Sequence, residues 1–402
     1  MKKLFTLAAA GMLASASLSA QAQVVLDGVL NTSEIGGTSG YVLIGKYTNA
    51  RGFGNAGLLS LYVATTATKV TFFMGGTVET NQNSFQLFFK TPAGAGVPAG
   101  TALPTGPAGG GTITSSAGTS FDKMGAKLDM PTNLAIALRS TVNAAGTTTF
   151  KLEGISYTSA TAATTEPALT GAVNINGATG AATPITATTI PALVSSRVAY
   201  KVSSGGGVDT NPGYSATPNT STTYGGAGSY GMEFELDRAA ASLTGTVAMQ
   251  VFALQNSGDG GFLSTDFIPQ STAAAAATTA TNPGGNPDFG TIPGTQAATL
   301  NLTATAVALA TKAADAAAIG LSVYPNPSRG AAVVSYRVAD QASTVHIALT
   351  DLLGRTVRTV EKGNQPVGNQ TADLNTANLA AGTYLVRVQV GEQVSTSKIA
   401  VL

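Results

Sequence analysis

Short runs of strand-forming residues, separated by Gly-rich turns, recur along most of this 402-residue chain and constrain its fold more than any other feature. Four such runs follow one another near the start, at residues 41–47, 58–64, 69–76 and 83–90. Val, Thr and aromatic residues favour extended backbone. Short apolar strands at intervals of about ten residues, with turn signals between them, are typical of antiparallel sandwiches. The spacing therefore predicts an all-β fold.

The same pattern continues through the larger, N-terminal part of the chain. Further strand-like runs lie at residues 134–139, 147–155, 197–202, 230–237, 246–254, 262–269 and 298–303. The stretches 91–120, 158–195 and 205–228 are rich in Gly, Ala, Thr and Ser and lack apolar periodicity, which predicts long loops. Residues 23–303 are thus predicted to form one large antiparallel β-sandwich.

The composition changes after that domain. Residues 304–320 are Ala-rich with few apolar anchors, which predicts a linker with partial helix between two domains. Residues 321–402 again alternate strand-like runs with turns. They are predicted to form a second, small β-sandwich.

The first residues have the pattern of a signal peptide. A basic start, Lys2 and Lys3, precedes an apolar run from residue 4 to residue 18. Ala20 and Ala22 then supply the small-x-small pattern that signal peptidase reads, so we expect cleavage after Ala22 and export into the periplasm. A membrane anchor is the alternative, but the run is too short to span a bilayer.

Composition excludes several classes of function. The chain has 21 basic and 20 acidic residues and no basic patch, so nucleic acid is not an expected partner. It has no Cys and a single His, His346, which excludes Ser-His-Asp and Cys-His catalysis and zinc sites of these ligands from residues 23–303. Strand alternation puts His346 on the solvent face of the small sandwich. We therefore predict no catalytic residues, no cofactor and no metal.

Two clusters of oxygen-bearing side chains allow an alternative. Glu233 and Glu235 lie two apart on one strand face, roughly 6 to 7 Å from each other, a separation that suits a glycosidase pair. We favour an exposed polar face of the sandwich instead. The oxygens of residues 256–260 suit calcium, but Asn, Asp and Gly there also favour a β-turn, which is the preferred interpretation.

Tyrosines offer the remaining candidates for ligand contact. Those on predicted strands are expected to pack in the core or at its rim. Tyr214 and Tyr224 lie instead in the Gly-, Ser- and Thr-rich stretch 205–228, from which an aromatic ring can project. We predict that these two contact a glycan or a protein partner.

The small C-terminal domain carries a specific set of motifs. It begins with Tyr-Pro-Asn-Pro at residues 324–327, continues through Asp-Leu-Leu-Gly-Arg at 351–355 and Leu-Ala-Ala-Gly-Thr-Tyr at 379–384, and ends with Lys-Ile-Ala-Val-Leu at 398–402. This order closely resembles the type-A C-terminal sorting domain of type IX secretion cargo in Bacteroidota. The corresponding sorting-motif residues are Pro325, Asn326, Pro327, Gly354, Gly382, Tyr384 and Lys398.

The resemblance implies an Ig-like β-sandwich and a route. It implies that the domain docks on the type IX secretion machinery and carries the protein to the cell surface or the extracellular space. It further implies that the domain is then removed and that the protein is attached to surface lipopolysaccharide or released.

The N-terminal part shows a weaker, scattered resemblance. Leu-Asp-Gly at 26–28, the stretch 81–89, Tyr-Gly-Met-Glu-Phe at 230–234 and the stretch 262–269 appear in order. They resemble a group of secreted bacterial β-sandwich proteins that are distantly similar to family 9 carbohydrate-binding and DOMON-type modules, which implies a single sandwich of roughly ten to twelve strands. The chain has no Trp, which counts against sugar binding because carbohydrate modules usually stack sugars on aromatic faces.

Three functions remain open for residues 23–303. The first, which we favour, is a non-catalytic binding module of the cell surface or extracellular space, for glycan or for adhesion. The second is a structural protein of the surface or matrix, which suits the low charge and the long Thr-, Ala- and Gly-rich loops. The third is a glycoside hydrolase that uses carboxylates alone.

Overall fold

The computed structural model describes residues 24–47, 49, 54–105, 119–142, 148–166, 174–186, 189–218, 221–270, 283–292, 295–309, 319–338, 343–351, 355–390 and 393–402. The expectations for the signal peptide at 1–22, with Ala20 and Ala22, and for Gly354 lie outside these residues. Within these ranges, no helix has the length and apolar character needed to cross a membrane.

The large sandwich, residues 24–309, contains fifteen strands in its described ranges. They are β1 (Val42–Lys46), β2 (Gly57–Thr65), β3 (Lys69–Thr77), β4 (Ser84–Lys90), β5 (Leu134–Val142), β6 (Thr148–Ser159), β7 (Ala162–Glu166), β8 (Asn174–Ile175), β9 (Thr183–Pro184), β10 (Arg197–Tyr200), β11 (Gly231–Asp237), β12 (Val247–Asn256), β13 (Leu263–Ile268), β14 (Ala298–Leu302) and β15 (Val307–Leu309).

These strands form two antiparallel sheets, which confirms the predicted all-β class. One sheet has six strands in the order β1-β2-β3-β11-β10-β9. The other has nine, in the order β15-β14-β12-β4-β5-β6-β7, with β13 also paired to β12 and β8 to β6. The described strands exceed the ten to twelve that the scattered resemblance implied.

The main core lies between the two sheets and is built by strand alternation. Phe72 on β3, Phe89 on β4 and Phe234 on β11 all point into it and are fully buried. The ring centroids of Phe72 and Phe89 are 5.1 Å apart, and those of Phe89 and Phe234 are 6.2 Å apart. These three strands thus direct alternate side chains into one apolar layer.

A second core covers the outer face of the nine-stranded sheet. Phe88 on β4 and Phe252 on β12 point outward there, and Phe121 and Phe289 from the connecting segments pack on them. Strand β4 is therefore buried at nearly every position rather than at alternate ones. The described parts of the predicted loop 91–120 belong to this cover, because an apolar outer face needs one.

The outer face of the six-stranded sheet carries an aromatic cluster. The rings of Tyr41, Tyr62 and Phe73 meet edge to face, with centroids 6.2 to 6.4 Å apart. Leu30 packs against them and is fully buried. We call residues 24–35 the N-terminal strap, because they lie across this face and exclude water from it.

The C-terminal sandwich, residues 319–402, has its own apolar core. Its strands are β16 (Ser322–Tyr324), β17 (Ala331–Val338), β18 (Ser343–Thr350), β19 (Thr356–Gln365), β20 (Gly368–Asn375), β21 (Gly382–Val390) and β22 (Gln393–Val401). They form a three-stranded sheet, β16-β17-β20, and a four-stranded sheet, β19-β18-β21-β22. Val345 and Ile347 are fully buried, whereas His346, which was predicted to lie on the solvent face, is half-buried.

The segment predicted as a linker, 304–320, is partly built into the two sandwiches. Val307–Leu309 is strand β15 and pairs with β14, after a turn in which the Thr303 amide donates to the Ala306 carbonyl at 2.9 Å. At the other end, Ile319 is fully buried in the C-terminal core. Residues 310–318 of the predicted linker lie outside the described ranges.

Candidate functional site

The predicted sorting motif closes the open edge of the four-stranded sheet. The Asn326 amide nitrogen donates to the Lys398 carbonyl at 2.9 Å, and its oxygen accepts from the Ala400 amide at 2.9 Å. The Ser328 amide then donates to the Ala400 carbonyl at 2.8 Å, and the Leu402 amide donates to the Ser328 carbonyl at 3.0 Å. Because β22 is an edge strand, these bonds satisfy backbone groups that would otherwise be unpaired.

Ser328 also joins this edge to the three-stranded sheet. Its hydroxyl donates to the Ala331 carbonyl at 2.9 Å and lies 2.7 Å from the Thr376 hydroxyl at the end of β20. The start of the domain therefore connects the two sheets and the last residues of the chain at one place, through Asn326 and Ser328. This gives the motif residues Asn326 and Lys398 a shared structural role.

Tyr384, another predicted motif residue, closes a turn. Its hydroxyl donates to the Ala380 carbonyl at 2.9 Å, and its ring lies against the C-terminal core. Gly382, between these two residues, is the first residue of β21. The Leu-Ala-Ala-Gly-Thr-Tyr motif thus sets the point at which β21 begins.

The carboxylate pair of the large sandwich is not exposed. Glu233 and Glu235 do lie on one face of β11, but they are only 0% and 5% exposed. The expectation of a solvated polar face is therefore wrong. For Glu233 the reason is the N-terminal strap, which lies about 200 residues away in sequence, so that the local pattern of β11 holds no sign of it.

Glu233 anchors the strap to the sheet. Its Oε2 accepts from the Asp27 amide at 2.7 Å and the Gly28 amide at 2.8 Å, and its Oε1 accepts from the Tyr41 hydroxyl at 2.7 Å. Burial raises the pKa of Glu233 to about 8, and the three donors offset part of that rise. Gly28 has φ +73°, and a Cβ there would lie 2.5 Å from the Lys201 amide nitrogen, so only glycine fits.

Two other carboxylates, those of Glu34 and Glu235, also make hydrogen bonds in this part of the fold. Glu34 in the strap accepts from the Val25 amide at 2.7 Å and the Asn31 amide at 2.9 Å. Glu235 forms a bidentate pair with Arg197, with Nε to Oε1 at 2.8 Å and Nη2 to Oε2 at 2.9 Å. All three carboxylates hold the fold of this chain, and none faces an open space in which a glycosidic bond could lie.

A buried ion pair fastens the cover of the nine-stranded sheet. Arg139 on β5 and Glu153 on β6 are 2% and 0% exposed, with Nη2 and Oε1 2.5 Å apart. Glu153 Oε2 also accepts from the Ser120 amide at 2.8 Å. Burial raises the pKa of Glu153, whereas Arg139 acts to lower it. The pair therefore fixes residue 120 against the sheet.

The oxygen-rich segment 256–260 forms a turn, which was the interpretation preferred over a calcium site. Asp259 Oδ1 accepts from the Ser257 hydroxyl at 2.9 Å and from the Gly261 amide at 3.1 Å, while Oδ2 pairs with Lys123 Nζ at 2.7 Å. These contacts use the carboxylate oxygens that calcium would need. In the part of the chain that the structure describes, no three His, Cys, Asp or Glu side chains are grouped to hold a metal.

The two loop tyrosines do not present open rings. Tyr224 is 1% exposed and packs with Leu59 and Val208 on the outer side of β2. Tyr214 is half-buried against the same small cluster. The prediction that Tyr224 projects toward a ligand is therefore wrong, because its ring packs back onto the sheet.

A cleft of about 600 Å³ lies at one end of the large sandwich. Four segments surround it: the end of β3, the start of β6, the turn after β8 and the segment after β10. The lining residues are Val78, Thr80, Thr148, Thr149, Phe150, Ile175, Asn176, Gly177, Ala178, Val202, Ser203, Ser204 and Gly206. Both sheets thus contribute to it.

The cleft has an apolar floor and an uncharged polar rim. Phe150 and Ile175 are buried at the floor, while Thr80, Thr148 and Ser204 are exposed at the rim. No charged side chain is among the described lining residues. Thr, Ser and Gly form no motif that sequence reasoning recognises, which is why the cleft was not predicted.

Close packing holds the floor in place. A Cβ at Gly177 would lie 2.7 Å from the Phe150 ring, so the absence of a side chain lets the turn after β8 rest on that ring. The Phe150 ring also contacts the Tyr200 ring, with centroids 4.8 Å apart. The Tyr200 hydroxyl accepts from the Val78 amide at 3.0 Å. The floor of the cleft is therefore held by packing from both sheets.

Comparison with known proteins identifies the C-terminal sandwich. Residues 322–402 match the family described as the secretion system C-terminal sorting domain. The chain therefore carries a type IX secretion sorting domain, and the type IX machinery delivers it to the cell surface or the extracellular space. No curated protein matches the chain.

Solved structures give only remote likenesses. PorZ, a surface component of the type IX secretion system of Porphyromonas gingivalis, is 13% identical, with 67% of this chain and 37% of that chain covered and a TM-score of 0.17. Dimeric latent PorU from the same organism is 12% identical, with 90% and 34% covered and a TM-score of 0.19. A tetra-tandem repeat of a large adhesion protein is 14% identical, with 86% and 74% covered and a TM-score of 0.18.

These likenesses carry no argument about this chain, because the TM-scores are too low. The chain also spans only about a third of the length of the first two proteins, 37% and 34%. The resemblance of residues 24–303 to family 9 carbohydrate-binding and DOMON-type modules finds no support in these comparisons.

Proposed function

We propose that this protein is a non-catalytic binding protein of the cell surface or extracellular space, and that its large sandwich binds glycan there. The sorting domain supplies the route. The observation that supports binding is the cleft above Phe150, which joins an apolar floor to a rim of hydroxyl groups. Sugars present both kinds of surface, hydroxyls for hydrogen bonds and CH groups for apolar contact.

The chemistry of the cleft argues against catalysis. Glycoside hydrolysis needs an acid and a base or nucleophile, normally two carboxyl groups flanking the bond. The described lining of the cleft has none. Glu233 and Glu235, the pair that suggested a hydrolase, are committed to backbone amides, Tyr41 and Arg197. The carboxylate-only hydrolase is therefore the weaker alternative.

The finer steps of the route belong to the same proposal. The signal-peptide pattern of residues 1–22 supports passage through the periplasm, with cleavage after Ala22. Docking of the sorting domain on the type IX machinery follows, and its removal leaves the large sandwich attached to surface lipopolysaccharide or released. A mature N-terminus mapped by mass spectrometry tests the first step.

A structural or adhesive role of the surface matrix is the second candidate. Only 10% of the residues are charged and the charges nearly balance, so little electrostatic repulsion opposes association between copies. This role needs self-association and no small ligand.

One pair of measurements distinguishes these candidates. The protein purified from the culture medium or cell surface is applied to a glycan array, and its mass in solution is measured by light scattering. We expect saturable binding to at least one glycan by a discrete species. Growth into large assemblies without binding to any glycan would favour the matrix role, and release of reducing sugar from a glycoside panel would favour the hydrolase.

A further inference from the structure

We infer that the cleft above Phe150 is the ligand site and that it selects a neutral saccharide over an anionic one. This inference rests on the proposed function, because it names the site and the class of glycan. The cleft volume of about 600 Å³ lies within the range of about 300 to 1,000 Å³ that small-ligand sites occupy.

The polar groups of the rim come from separate segments and converge. Thr80 follows β3, Thr148 begins β6, Asn176 follows β8, and Ser204 follows β10. The hydroxyls of the Thr and Ser residues can donate or accept as a sugar requires, because a hydroxyl hydrogen rotates. Several such groups around one cavity match the ring of hydroxyls on a saccharide.

Asn176 adds a donor of fixed direction. Its side-chain oxygen accepts from the Ala178 amide at 3.1 Å, which orients the amide group of the side chain. The –NH₂ end then turns away from that turn and can donate to a sugar hydroxyl or ring oxygen. A positioned donor gives orientation to a ligand that rotating hydroxyls alone would hold loosely.

The floor provides the apolar contact. Phe150, Ile175 and Val202 line it, and Phe150 is held by Gly177 on one side and Tyr200 on another. The CH groups of a sugar ring can pack on such a surface and release water from it. A preformed floor also avoids the ordering cost that a mobile site would incur.

The absence of charge from the lining sets the selectivity. No Lys, Arg or His is among the described lining residues, so a carboxylate or sulfate would enter without a partner. Desolvating an unpaired charge is strongly unfavourable, and specificity often comes from such a penalty. Uronic acid and sulfated chains should therefore bind more weakly than neutral chains of the same length.

The test uses the full secreted protein and isothermal titration calorimetry. The probes are neutral hexasaccharides of glucose, mannose, xylose and N-acetylglucosamine, with oligogalacturonate and a heparin hexasaccharide as anionic counterparts. We expect at least one neutral chain to bind, with an affinity that changes little between low and high salt, and both anionic chains to bind roughly tenfold or more weakly.

Two variants locate the site. Ser204→Trp fills the mouth and should weaken binding roughly tenfold or more, and Asn176→Ala should weaken it about three- to tenfold by removing one donor. The matched control is Thr164→Trp, at an exposed position of β7 opposite Ser156. Ser156 is six residues along β6 from Phe150, roughly 20 Å away, so this variant should bind as the wild type does.

The outcomes separate the site from the function. Ser204→Trp and Asn176→Ala could melt at the wild-type temperature and still bind the neutral chain as the wild type does. That result would overturn the cleft as the site and leave the proposed function standing. Equal or tighter binding of the anionic chains would overturn the neutral class. No binding of any probe would overturn both the inference and the glycan-binding proposal.

Discussion

Buried carboxylates determine how distant segments meet in the large sandwich. Glu233 accepts hydrogen bonds from the backbone amides of residues 27 and 28, and Glu153 accepts one from the backbone amide of Ser120. A buried carboxyl group that loses its hydrogen-bond partners costs about 1 to 3 kcal/mol or more, so these segments are held where their amides meet it. Each of these two residues thus acts as a structural anchor.

The Glu233 anchor predicts a pH dependence of stability. Burial raises its pKa from 4.5 to about 8 in the folded protein. Between these values the folded state holds a proton that the unfolded state has lost, so its contribution to stability is complete below about pH 4.5 and is lost as pH rises through 8. The slope from this one group is at most about 1.4 kcal/mol per pH unit.

Glu233→Gln tests that sign. The variant cannot ionise, so its urea-unfolding free energy should fall less between pH 5 and pH 8 than that of the wild type. Glu235→Gln, on the same strand face but paired with Arg197, is the control and should keep the wild-type slope. Parallel pH profiles for Glu233→Gln and the wild type would contradict the account of this anchor.

For single residues, the sequence predicts which face of a strand a side chain lies on better than it predicts what covers that face. Alternation correctly put Glu233 and Glu235 together on the outer face of β11. It could not show that the N-terminal strap covers the outward face, because the strap and β11 are brought together only by the fold. The same limit applies to Tyr224, whose burial depends on a loop returning to β2.

At the scale of strands, edges need partners. The edge strand β22 is completed by Asn326 and Ser328, which are not part of any strand of that sheet. The side-chain amide of Asn326 supplies one donor and one acceptor, as a backbone residue would. This explains in physical terms why Asn stands between the two prolines of the motif.

Asn326→Ala should loosen the end of β22. Removal of two hydrogen bonds is expected to lower the free energy of unfolding by about 1 to 3 kcal/mol. It should also speed hydrogen exchange of the Ala400 amide, which donates to the Asn326 side-chain oxygen. Asn369→Ala, at an exposed position of β20, is the matched control. Unchanged exchange at Ala400, measured by NMR, would show that Asn326 does not hold this edge.

Strand prediction succeeded where apolar residues alternate or cluster. The runs at 58–64 and 69–76 became β2 and β3 almost without change. β7, β8 and β9 were missed, because they are short or built of Ala and Thr and take their place by pairing with a longer neighbour. Pairing of this kind is a tertiary effect and leaves little periodicity to read.

At the scale of the whole molecule, the chain contains two sandwiches with separate cores. The buried apolar cluster of the C-terminal sandwich draws only on residues 319–401, and those of the large sandwich end by residue 302. Each domain therefore has the apolar interior that independent folding requires. The sorting domain could be recognised from sequence because its motif residues are specific, whereas the cleft consists of common Thr, Ser and Gly residues.

Deletion of residues 321–402 tests the account most directly. The large sandwich keeps its whole core in that variant, so it should fold and resist protease, but it should accumulate in the periplasmic fraction and be absent from the surface and the medium. The full chain and the Asn369→Ala variant, fractionated in parallel, should reach the exterior. Delivery of the truncated protein to the surface at the level of the full chain would contradict the claim that the C-terminal sandwich is what directs this protein out of the cell.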